Sequence, residues 1–180
     1  MNNLEVYKFM YYYELDTKEK INSRITIPIG IATLLVSGAG FFLNKIIKFP
    51  NITLKGVCIV CLIFYSIALI KMIIEIFLLY SGYDYAYVTA KSINNFQLAL
   101  ENYYDKNYKE YYCKIGNSKK ALIEADFKKG IIEQYVKATE HNMELNSKKL
   151  NHLRNIGLTA SISLISGFVI YIILILSNNI

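Results

Sequence analysis

Residues 67–87, IALIKMIIEIFLLYSGYDYAY, decide how the chain is read. They open as an apolar run, take in Lys71 and Glu75 four positions apart, and close on alternating tyrosines. The apolar part belongs to a longer stretch, Gly56–Tyr80, and Ile25–Leu43 and Ile156–Leu176 are two more of the same kind. A helix that crosses a hydrocarbon layer of about 30 Å needs roughly 20 mostly apolar residues, and each stretch is near or above that length. The rest of the chain is too small and too polar to wrap three such helices as a soluble core. The sequence therefore predicts an all-α membrane protein with three transmembrane helices. A cleavable leader does not fit, because the first run starts only after 24 mixed residues with acids among them and offers just Ser37-Gly38-Ala39 as a cleavage site.

Charge sets the expected orientation. Of twenty Lys and Arg, four lie in 1–24, three in 44–55, one is Lys71 and twelve lie in 81–155. The positive-inside rule then places 1–24 and 81–155 in the cytoplasm, with 44–55 and the C-terminus outside. Four segments follow: an amphipathic N-terminal helix in 1–24, two spans in 25–80, a cytoplasmic helical hairpin in 81–155, and the third span with a short tail in 156–180.

Within 81–155 one apolar stripe runs Phe96, Leu100, Tyr104, Tyr108, Tyr111 and another Ile123, Phe127, Ile131, Tyr135, Ala138, both at helical spacing. Gly116-Asn117-Ser118 breaks them, with Ser118 as a candidate N-cap. Only Ser81-Gly82 separates the second span from the first of these helices, and nothing separates the last from Ile156. In the N-terminal segment Leu4, Tyr7, Tyr11 and Leu15 share a face that suits either a membrane surface or packing on the hairpin.

Several residues are candidates for function. Lys71 and Glu75, at i and i+4, can pair with each other as an interface marker or line a wet vestibule. Thr159, Ser163 and Ser166 share a face of the third span that suits close helix packing or a hydroxyl-lined pore, and Thr33, Ser37, Gly40 and Asn44 form a similar stripe on the first. Tyrosines alternate with lysines through 103–120, a pattern of stacking rings and ammonium groups that can hold a nucleotide, or simply an apolar stripe with a solvated edge. Lys119, Lys120 and Tyr111 belong to that band, and Lys148, Lys149 and Arg154 lie just before the third span.

Catalysis finds no support. His141 and His152 belong to no metalloprotease or nucleophile motif, and Cys58 and Cys61 lack the second ligand pair that zinc requires, so neither a metal nor a cofactor is expected.

The layout of a polar N-terminal helix, two closely spaced spans, YDYAYVTAKSINNFQLALENYY after the second and FKKGIIEQYVKATEHN further on resembles the SLATT family of bacterial membrane effectors. The third span departs from the two-span core of that family and is similar to the membrane component of Hailong defence systems. The resemblance implies a pore-forming effector of anti-phage defence. It also implies a homo-oligomer, for instance a tetramer, which depolarises the host membrane under control of a cyclic or linear oligonucleotide made by a partner nucleotidyltransferase. The competing expectation is a non-conducting scaffold that holds a soluble partner at the membrane through its cytoplasmic helices.

Overall fold

In the computed structural model, which describes residues 3–109 and 118–178, the chain forms five helices: α1 Asn3–Ser23, α2 Thr26–Ile47, α3 Ile52–Tyr80, α4 Ala90–Asn107 and α5 Lys119–Asn178. There is no strand among the described residues. Three helical stretches, carried by α2, α3 and α5, are long and apolar enough to cross a membrane.

The helix boundaries follow local chemistry. Asn51 caps α3 by accepting from the backbone N–H groups of Thr53 (3.1 Å) and Leu54 (3.2 Å). Ser118 caps α5 as its position predicts, accepting from Ala121 N–H at 3.3 Å. Thr89 and Ser92 form a capping box at the start of α4.

The structure corrects one expectation here. The helix after the second span does not begin at Tyr83; residues 82–89 are non-helical, and α4 starts at Ala90. The tyrosines at 83, 85 and 87 alternate with period two, and Tyr85 is buried while Tyr87 is exposed. The spacing of two puts the three rings on one side of an extended chain, along which exposure differs from ring to ring.

The chain divides into two compact units, one of residues 1–19 and 83–146, the other of residues 20–82 and 147–180. In the first unit, α1 packs Leu4, Tyr7, Tyr11 and Leu15 on Ile131, Tyr135 and Ala138 of α5, joined by Phe96 and Phe127. Tyr11 meets Tyr135 edge-on at 5.3 Å. Of the two roles open to the N-terminal stripe, then, this face packs on the helices of its own unit. The two stripes read in 81–155 also meet: Phe96 stacks on Phe127 at 6.0 Å, and the Tyr104 hydroxyl donates to Asp126 at 2.6 Å.

The second unit is a three-helix bundle with apolar side chains on its outside as well as in its core. Its core holds Leu35, Tyr65, Leu69, Met72 and Ile156, with a second cluster of Ile46, Phe49, Cys58, Ile170 and Leu174. Its outside carries many apolar side chains too, with Leu34 74% and Ile165 66% exposed, while Glu75, Thr159 and Ser163 are buried. Water would penalise that arrangement and a hydrocarbon solvent favours it.

Candidate functional site

In the second unit the buried polar groups gather around Glu75. Its carboxylate does not pair with Lys71, as the i, i+4 spacing suggested. One oxygen lies 2.6 Å from His152 Nδ1 and the other accepts from Asn155 Nδ2 at 3.0 Å. The reason is burial: Met72 and Glu75 face the bundle, whereas Lys71 is exposed. A carboxylate so placed needs partners that are buried beside it, and α5 supplies two.

Along α5 the same demand is met repeatedly. Lys149 is buried and donates to Asn22 Oδ1 at 3.0 Å. Thr159 returns its proton to the carbonyls of Asn155 (2.9 Å) and Ile156 (3.1 Å), and Ser163, wholly buried, reaches the Tyr65 carbonyl at 3.5 Å. Tyr65 in turn donates to Leu35 O at 2.6 Å. Gly167 makes room for that ring, since a Cβ there would meet Tyr65 at 3.0 Å and Phe42 at 3.1 Å. Thr159 and Ser163 thus serve packing within the chain, while Ser166 is half-buried.

The other small-residue stripe has the opposite placement. Gly30, Thr33, Ser37, Gly40 and Asn44 are all exposed on α2. Thr33 donates to Ile29 O and Ser37 to Thr33 O, each at 3.0 Å, so both hydroxyls keep oxygen lone pairs as acceptors. A groove of about 350 Å³ runs beside them, walled by Ala32, Val36, Ile73 and Ile76.

In the first unit the extended segment 83–88 has no sheet partner, so side chains satisfy its backbone. Asn142, fully buried, accepts from Ala86 N at 2.8 Å and donates to Ala86 O at 3.0 Å. Tyr11 OH accepts from Val88 N at 3.1 Å, and His141 Nε2 lies 2.8 Å from Asp84 O. Asn146 accepts from Tyr85 OH at 2.7 Å and donates to Glu14, at both its backbone and its carboxylate oxygen, at 2.8 Å. Lys18 lies over the rings of Tyr85 (4.7 Å) and Tyr87 (5.2 Å). Burial, together with the neighbouring Tyr83, Tyr87 and Glu14, pushes the Tyr85 phenol up to about 12.

The nucleotide candidates are spread over this scaffold. Lys119 pairs with Asp105, and Lys119 and Lys120 border a groove of about 520 Å³ that also holds Glu101, Glu124 and Phe127. Its two carboxylates work against phosphate binding. Lys148 and Arg154 are exposed, in contrast to Lys149. Tyr111 and the Gly116-Asn117 turn lie outside the described residues. Tyr104 and Tyr135 are buried in packing, so those two rings are not open to a base.

Sequence reasoning missed Asn142 and Asn146 altogether. Their signal was a spacing: Asn142, Asn146, Lys149, His152, Asn155, Thr159 and Ser163 recur at steps of three and four, a polar stripe that continues into the apolar run. No protein-family model, curated protein or solved structure matches this chain.

Proposed function

We propose that the chain is the subunit of a homo-oligomeric membrane channel, with residues 1–24 and 81–155 cytoplasmic, that acts as a depolarising effector of bacterial anti-phage defence. The observation that carries the channel reading is the α2 stripe. Thr33, Ser37, Gly40 and Asn44 are exposed in one line on a bundle whose spans otherwise present mostly apolar side chains, Lys71 on α3 and Ser161 on α5 being exposed as well. Polar groups at membrane depth face a helix bundle or a water-filled cavity. Copies of the chain arranged with α2 toward a common axis provide both, and the small residues allow the helices to approach.

The defence role is supported by the SLATT-like layout. In this reading the controlling ligand is a short anionic oligonucleotide, and exposed Lys148 and Arg154 are its candidate contacts in the second unit.

The test is conductance. In a background with Cys58 and Cys61 replaced by alanine and Cys113 by serine, cysteines at Thr33 and Ser37 should let a charged thiol reagent reduce single-channel current in planar bilayers severalfold. Cysteine at Leu34, on the adjoining apolar face, should not. Absence of current at every voltage from well-folded protein favours the scaffold, and equal block at all three positions removes α2 from the pore.

A further inference from the structure

The second unit contains one acidic side chain, Glu75, against nine lysines and arginines. Glu75 is engaged by His152 and Asn155. Every other cation of the unit that needs a counter-charge must find it elsewhere, and at one end this need is concentrated. Lys45, Lys48 and Lys55 fall within eleven residues that hold no Asp or Glu, and residues 147–180 hold none either. Lys55 is occupied, donating to Ile47 O at 3.1 Å where α2 ends. Lys45 and Lys48 remain.

These two lysines, one helical turn apart, border a cleft of about 270 Å³ between the end of α2 and the last turns of α5. Both are exposed, and Lys45 lies 5.8 Å from the centre of the Phe41 ring. The cleft is not polar throughout. Phe49 and Leu174, both buried, and Ile175 form apolar walls, and Tyr171 adds a phenol on the α5 side. Two ammonium groups, an amphipathic ring of the kind found at membrane–water boundaries and an apolar floor form a graded surface. A free anion uses only the lysines. A molecule with a phosphate at one end and hydrocarbon at the other uses all of it.

From this juxtaposition we propose that the Lys45/Lys48 cleft is a binding site for an anionic phospholipid, its headgroup phosphate between the two ammonium groups and its glycerol and upper acyl chain against Phe49, Leu174 and Ile175. The site rests on insertion of the three apolar helices into a bilayer and is independent of whether the protein conducts. It also accounts for lysines retained in the 44–55 connection, on the side where the positive-inside rule disfavours them.

Native mass spectrometry of the full chain in mild detergent, given equal amounts of phosphatidylglycerol and phosphatidylcholine with matched acyl chains, tests this. Two lysines near a lipid phosphate should give a preference for the anionic lipid of roughly tenfold or more. Lys45→Ala with Lys48→Ala should bring it close to parity, whereas the Lys45→Arg, Lys48→Arg pair and a distant Lys91→Ala should retain it. An alanine double variant that keeps the wild-type preference overturns the site. Displacement of the bound lipid by millimolar glycerol phosphate also overturns it, because that result describes a site for free phosphate.

Discussion

Asn142 does for the extended segment what a neighbouring strand does in a sheet: one amide accepts from and donates to the backbone of Ala86. Tyr85 beside it supplies a test at the scale of one residue. Its phenol is raised from 10.0 to about 12, burial being the largest cause. The folded chain therefore holds this proton more tightly than the unfolded chain, so the stabilisation is complete below about pH 10 and is lost as pH rises through about 12. Thermal unfolding followed by circular dichroism should show a loss of stability across that window, and Tyr85→Phe should remove its contribution. At neutral pH the same substitution should cost about 1–3 kcal/mol, since the carbonyl oxygen of buried Asn146 loses its donor. A phenylalanine variant with an unchanged alkaline profile would show that Tyr85 does not couple ionisation to folding. Little of this was legible beforehand. An asparagine within a polar helix has many possible partners, and only the fold brings residues 56 positions apart together.

At the scale of elements the sequence was far more readable, because hydrophobic runs and stripes report directly on what is buried. The three apolar runs became span-length helices, and the stripes at Phe96 and Phe127 meet face to face. What no stripe could report is how close α4 and α5 come. Gly130 sits under the Phe96 ring, and a Cβ there would fall 2.2 Å from Cζ. Alanine is intrinsically better in a helix than glycine by about 1 kcal/mol, but overpacking typically costs about 1–3 kcal/mol, so the clash should prevail. Gly130→Ala should lower the unfolding temperature of the wild-type chain. In a Phe96→Leu background, where the obstructing ring edge is gone, the same change should become neutral or stabilising. A Gly130→Ala variant that is more stable than wild type would mean that Phe96 swings aside without cost and that the contact does not hold the two helices. The extended stretch 82–89 escaped for the opposite reason. Its period-two tyrosines were there to be read, but they directly follow a helix and have no strand partner to suggest a sheet.

For the whole molecule the question is which way it lies in the membrane, and charge provides the argument. Sixteen lysines and arginines in 1–24 and 81–155 stand against three in 44–55. Each cationic residue near the cytoplasmic surface gains from anionic lipid and is resisted when it must cross, so the proposed orientation keeps the larger group inside. The buried polar chemistry agrees in kind: Glu75 lies five residues before the end of α3 and is met by His152 and Asn155 just before the third apolar run. On this orientation they share the cytoplasmic side of the hydrocarbon, where water is near and a carboxylate is least costly to keep. Two exposed positions distinguish the alternatives. Ile52, 86% exposed at the start of α3, should lie outside, and Lys128, exposed on α5, should lie inside. In the background lacking the native cysteines, Ile52→Cys should react with a membrane-impermeant maleimide in intact cells, and Lys128→Cys should react only after permeabilisation. The reverse pattern would invert the orientation and move the Lys45/Lys48 cleft to the inner leaflet without removing it. Labelling of both from the same side would mean that α3, the one span between them, does not cross, and the three-span reading would fail with it.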